Sequence, residues 1–133
     1  MAFMEEVPMK HVREHEVKGE HLMPPHAREI KHLIAPWTVG SRRFWAGIVI
    51  IGQGSSSNPH VHDDAEEIWY VVGGTGRVRV GEEEEEIGPG SCVFVPPKTV
   101  HQLLNTGQTE LKVLAVTSPP PTLEGFKKVH TPK

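Results

Sequence analysis

From Glu29 onward the apolar residues come in short bursts: EIKHLI, RFWAGIVII, EIWYVV, GRVRV, SCVFV and LKVLAV. Each is rich in Val and Ile and is bounded by Gly, Pro, Asn or Ser, a length and composition that suit strands and fall short of an amphipathic helix. The pattern predicts an all-β sandwich or barrel with no strong amphipathic helix anywhere. EIWYVV and GRVRV are joined by GGTG, which predicts a hairpin, because Gly supplies the positive φ angles that tight turns between twisted strands require. Glu82 to Glu86 run without interruption after Gly81. Solvated like charges discourage further strand pairing, so a turn and an edge strand are expected there rather than a cation trap.

The two ends read differently. Residues 1–28 hold all four methionines and four of the nine histidines (His11, His15, His21 and His26), with charged residues between them and Pro24-Pro25 near the end. This is the pattern of an arm or edge segment with little core of its own, its histidines at the surface. The tail opens with the run SPPP. Proline lacks a backbone N–H and cannot extend a central strand, so the tail is expected to wrap the surface. The expected organisation is an arm over 1–28, a β domain over 29–118 and a tail over 119–133.

Composition narrows the function. A chain of 133 residues suits one domain with a real core. The formal charge of −3 and the scattered basic residues, paired only at Arg42-Arg43 and Lys127-Lys128, argue against nucleic acid. Arg42 and Arg43 are read as solvated residues at a strand start. Residues 1–28 lack the turn and basic face of a helix-turn-helix. No apolar run is long enough to span a membrane, and MAFMEEVPMK lacks the layout of a secretory signal. A cytoplasmic protein is expected. The lone cysteine, Cys92, excludes an internal disulfide and a thiolate zinc site, and is expected to be a small buried hydrophobe.

Chemistry concentrates in HVHDDAEE, residues 60 to 67. On a strand, His60 and His62 project from one face while Val61 points away, a two-point claw for a metal. If Glu67 opens the following strand facing inward, Trp69 and Val71 share its face, and a buried carboxylate beside apolar groups needs a cation or donors to compensate. Asp63, Asp64 and Glu66 are then turn residues in water. Further on, PPKTVHQLLN places His101 after a Pro-Pro corner. Three imidazoles and a carboxylate suit one divalent Fe, Mn, Co, Ni, Cu or Zn ion, with open positions if the ion is octahedral. Trp69 is a candidate wall of the pocket, and no catalytic acid or base can be named.

At these residues the chain resembles the cupin superfamily, in its small single-domain form. The first motif reads Gly54, SSSNP, His60-Val61-His62, DDAE, Glu67, IWYVVG, Gly74; the second reads Gly90, SCVFV, Pro96-Pro97-Lys98, TV, His101, QLL, Asn105. Lys98 stands where the motif usually has Gly, which strains the turn before His101, since Gly tolerates backbone angles that Lys resists. The resemblance implies a double-stranded β-helix, a cupin jelly-roll barrel with the metal inside, carrying His60, His62, Glu67 and His101 as ligands. It implies a homodimer paired through a sheet extended by the N-terminal arm. It also implies a metalloenzyme acting on a small organic molecule, by dioxygenase-type oxidation first and by Lewis-acid isomerisation, decarboxylation or elimination next. A non-catalytic small-molecule or sugar-binding module is the alternative.

Overall fold

Burial alternates most strictly in β4 (Glu66–Gly73), where Glu67, Trp69 and Val71 are buried and the residues between them face out. The computed structural model describes residues 8–130. The other strands are β1 (Glu20–Leu22), β2 (Arg28–Ile34), β3 (Trp45–Ile51), β5 (Gly76–Val80), β6 (Glu83–Ile87), β7 (Cys92–Val95), β8 (His101–Leu104) and β9 (Leu111–Ser118). They form a six-stranded sheet in the order β1-β2-β3-β9-β4-β7 and a three-stranded sheet in the order β6-β5-β8. Every pairing is antiparallel, and β9 fills the centre of the larger sheet between β3 and β4. The core lies between the sheets: Ile30, Trp45, Ile51, Trp69, Val71, Val113 and Ala115 from the larger meet Val78, Ile87 and Leu103 from the smaller.

The all-β expectation is corrected. Two helices make the fold mixed α/β, and neither sheet closes into a barrel. The first helix, α1 (Pro36–Val39), begins at a proline, has Thr38 Oγ1 accepting from the Ala35 N–H at 3.0 Å, and stops at Gly40 with φ +75°. The second, α2 (Leu123–His130), lies in the segment read as a surface wrapping. Prolines end β9, and Thr122 starts the helix by accepting from the Gly125 N–H at 2.9 Å. At eight residues it is too short to announce itself by periodicity. Its Phe126, one turn before His130, packs into the core beside Trp45.

GGTG is not a hairpin either. β4 pairs with β7 and β9, while β5 pairs with β6 and β8. At Gly74, with φ +81°, a Cβ would stand 2.2 Å from the Glu110 carbonyl oxygen, so only glycine lets the chain pass this close as it steps between sheets. The true hairpin joins β5 to β6 through Gly81-Glu82, with Val80 opposite Glu83. The glutamate run forms β6 and is an edge strand, as its charge predicts. Cys92, expected inside, is exposed: its strand faces the core with Val93 and Val95 instead.

Residues 1–7 of the expected N-terminal arm lie outside the described residues, and the rest of it is tied down. β1 pairs with β2 at the sheet edge, and Glu14, in a single 3₁₀ turn over Glu14–Glu16, reaches Lys112 at 2.8 Å and Lys31 at 3.5 Å. The hydrogen bond from Lys112 chiefly holds the Glu14 carboxyl below its ordinary range.

Candidate metal centre

The two motifs meet through their backbones. His60 and His101 exchange N–H···O bonds at 3.2 and 2.9 Å, and the Lys98 N–H donates to the His62 carbonyl at 2.7 Å. His60 and His62 therefore lie not on a strand, as expected, but on an extended segment stitched to the start of β8. Extended backbone keeps the same alternation, so Val61 is exposed and both imidazoles turn inward. Ser57 fastens the preceding stretch: its N–H donates to Leu103 O at 2.8 Å, and its Oγ accepts from Leu103 N at 2.9 Å. Asn105, the last residue of the second motif, is buried and clamps three chain segments. Its Nδ2 donates to Ile51 O at 2.8 Å and to Thr109 O at 2.9 Å, and its Oδ1 accepts from Gly107 N at 2.9 Å.

Lys98 occupies the left-handed region with φ +59°, the one positive φ at a non-glycine residue among those described. The turn before His101 thus keeps the shape a glycine would give it, with lysine in place.

His60, His62, Glu67 and His101 each offer one donor atom, and all four atoms lie within 4.8 Å of one another. The Nδ1 groups of His60 and His101 donate to the carbonyls of Asn58 and Thr99, both at 2.9 Å. That leaves bare lone pairs on the two Nε2 atoms, which are buried with no hydrogen-bond partner. His101 Nε2 stands 3.5 Å from Glu67 Oε1, and His62 Nε2 stands 3.1 Å from the same oxygen. A lone pair facing a carboxylate oxygen in a dry interior is unfavourable unless a cation lies between them. A divalent metal satisfies that arrangement, and imidazoles fixed through Nδ1–H are in the tautomer that ligates through Nε2. The residues fit the ion.

Electrostatics agree. Burial pushes the His60 imidazole down to about 4, with His101 adding to the shift, so it remains neutral and able to ligate. Burial alone would raise the Glu67 carboxyl, but the facing imidazoles of His101 and His62 outweigh it and hold the group well below the carboxylate range. Trp69 lines the cavity and donates its Nε1–H to Glu67 Oε2, which orients the carboxylate from beneath.

Four further residues of the site were not singled out in the sequence. Arg28 opens β2 with its side chain buried. Asn58 is buried and accepts from Arg28 Nη2 at 2.7 Å. Phe126 and His130 descend from α2, and the His130 ring lies 4.6 Å from that of His60. Burial, then His60 and Arg28, hold the His130 imidazole well below its ordinary value. Inward parity with Ile30 would have flagged Arg28, and the four-residue spacing would have paired Phe126 with His130; neither carries a motif. Arg42 and Arg43 are not part of this cavity.

Comparison with known proteins places these features in a family. The profile of the cupin domain matches residues 47–117, more than half of the chain. An uncharacterized protein of Methanocaldococcus jannaschii is 37% identical over 71 residues, which cover 53% of this chain and 57% of that protein's length. A solved structure described as a predicted oxalate decarboxylase from Thermotoga maritima superposes with a TM-score of 0.73 at 27% identity, covering 80% of this chain and 96% of the other. The polyketide cyclase RemF from Streptomyces resistomycificus gives a TM-score of 0.72 at 25% identity, covering 90% of this chain and 92% of its own. With both motifs in register and their donors converged on one point, the chain belongs to the cupin family and carries a metal-binding cupin site formed by His60, His62, Glu67 and His101.

Proposed function

We propose that the protein is a metalloenzyme acting on a small organic molecule, with His60, His62, Glu67 and His101 as the ligands of one divalent transition metal. The two buried Nε2 lone pairs, each on an imidazole locked through Nδ1 and without a partner, carry this reading. The bound ion would supply either O₂ chemistry or Lewis-acid polarisation of a substrate oxygen. The chain's own residues do the rest. Asn58 and Thr99 carbonyls hold two imidazoles in the ligating tautomer, Trp69 steers the carboxylate, and Phe126 with Trp45 walls out water.

The Lewis-acid branch gains support from the neighbours, one described as a predicted decarboxylase and one named a cyclase. Dioxygenase-type oxidation is the other branch. Metal analysis of untagged protein, followed by oxygen uptake with phenols, diketones, thiols and keto-acids, separates them. Uptake above the free-metal control with an iron, copper or manganese protein supports oxidation. Turnover under nitrogen with a redox-silent ion supports the Lewis-acid branch. Ligand-dependent melting with no turnover of any kind would leave the binding module.

A homodimer is part of the proposal. Ile68, Tyr70, Val72 and Phe94 are exposed on the outer face of β4 and β7, the kind of apolar surface a second copy covers. Sedimentation equilibrium tests it, and a monomer at micromolar concentration would refute it. The exposed thiol of Cys92 suits a reducing, cytoplasmic setting.

A further inference from the structure

Arg28 is the buried cation of this interior, and it does not belong to the metal cluster. Its side chain is 5% exposed. Nη1 donates to the His26 carbonyl at 2.8 Å; Nη2 donates to Asn58 Oδ1 at 2.7 Å and to His130 Nδ1 at 3.1 Å. All of these acceptors are uncharged. Burial without a carboxylate partner among the described residues pulls the guanidinium down to about 10. A desolvated charge of this kind is costly unless something negative is brought to it.

What stands there is the end of α2. The His130 ring is held on one side by Arg28 and lies against His60 on the other, with ring centroids 4.6 Å apart. Asn58 Nδ2 donates to the Val129 carbonyl at 2.9 Å, which fixes the last turn of the helix over Arg28. The carboxyl end of a helix carries partial negative charge, so α2 offers Arg28 a weak substitute for an anion. It also fills the site: with His130 seated, the cavity is about 30 Å³, room for one or two waters. A single imidazole thus spans the gap between the guanidinium and the metal ligands.

We propose that Arg28 is the carboxylate receptor of this site and that His130 occupies the substrate's place. The ligand is a small carboxylate carrying a second oxygen donor about one imidazole ring away. Its carboxylate pairs with Arg28 and its other oxygen faces the centre made by His60, His62, Glu67 and His101. A carboxylate suits the place better than a phosphate, because the space to be filled is that of one flat imidazole ring between Arg28 and His60. The guanidinium fork matches the planar carboxylate through parallel N–H bonds. The inference rests on the metalloenzyme reading for its second contact, and on Arg28 alone for its first.

The test separates the two. The full chain is loaded with Co(II), whose visible absorption reports metal binding, and is titrated with lactate, pyruvate, lactamide and inorganic phosphate. Lactate and pyruvate are expected to change the cobalt spectrum and raise the melting temperature, whereas lactamide and phosphate bind at least tenfold more weakly. Arg28→Gln should weaken lactate binding at least tenfold with the cobalt spectrum retained, and His130→Ala should tighten it several-fold. In metal-free protein, lactate should still raise the melting temperature through Arg28, by less. A chain that takes up no Co(II) defeats the metal reading, and the metal-free arm then decides the role of Arg28. Equal binding of lactate and lactamide, or unchanged lactate affinity in Arg28→Gln, overturns the receptor. Unchanged affinity in His130→Ala overturns the displacement. Should Arg28→Gln fail to fold, the lactamide and His130→Ala arms carry the decision.

Discussion

Lys98 is where the chain departs from its family's motif, and the departure has a measurable consequence. Its φ of +59° places a side chain in the left-handed region, where Cβ crowds the carbonyl oxygen. The cost is roughly 1–2 kcal/mol for an L-residue. Replacing it with glycine relieves that strain but gives the unfolded chain extra freedom, which takes back roughly 0.5–1 kcal/mol. Lys98→Gly should therefore stabilise the protein by about 0.5–1 kcal/mol. An unfolding entropy of about 2.1 cal/mol/K per residue gives about 0.28 kcal/mol/K for 133 residues, so the melting temperature should rise about 2–4 °C. Lys98→Ala serves as the control: it removes the exposed side chain, keeps the strain, and should melt within a degree of the parent. The one contact that matters, the N–H to His62 O at 2.7 Å, survives in both variants, so metal content should be unchanged. Calorimetry of the three proteins decides. A glycine variant that melts at or below the alanine variant would show that the turn stores no strain.

The remaining expectations concern the site and its supports. His62→Ala should drop bound metal well below one per chain, by elemental analysis, with far-ultraviolet circular dichroism unchanged; full retention would remove His62 from the ligand set. Asn105→Ala should cost about 3 kcal/mol in chemical unfolding, since it deletes three hydrogen bonds at about 1 kcal/mol each, while metal affinity is kept. The metal-free protein should lose stability as pH falls from about 6.5 toward 4, because His60 stays neutral in the folded state while the unfolded chain takes up the proton. The contribution is on the order of 3 kcal/mol, complete above the unfolded value and lost in acid. His130 is shifted the same way and adds to the loss. A flat urea midpoint over that range would contradict the burial of these imidazoles.

Much of the site was legible because local geometry decides it. Extended chain sends residues i and i+2 to one side, and that sufficed to turn His60 with His62, and Glu67 with Trp69 and Val71, inward. Residue type misled at SCVFV. Cysteine is commonly buried, yet Cys92 faces out, because the phase is set by the partner strand, with Trp69 opposite Val93 and Glu67 opposite Val95. A shift of one residue exchanges every side chain between the faces, and nothing inside a four-residue strand reveals which phase holds. The same limit explains GGTG. Whether two glycines make a hairpin or a crossing depends on what lies alongside, here the Glu110 carbonyl, thirty-six positions further on.

Arg28 and His130 were out of reach for a deeper reason. They are 102 residues apart, and neither is explicable alone. Without α2, Arg28 reads as a solvated residue at the start of a strand, and without Arg28 the helix reads as a basic tail. Together they change the charge arithmetic of the interior. Arg28 and Glu67 sum to zero beside the neutral His60 and His130 imidazoles. A divalent ion held beside Glu67 would leave two positive charges in excess, one of them at Arg28. An anion arriving there is then favoured by the ion, and by reciprocity its presence tightens the ion. The helix end, with only partial charge, cannot hold its place against a full carboxylate once metal is bound. On that proposal α2 is the part of the chain that exchange of ligands must move, and the two motifs, stitched together through their backbones, are the part that stays.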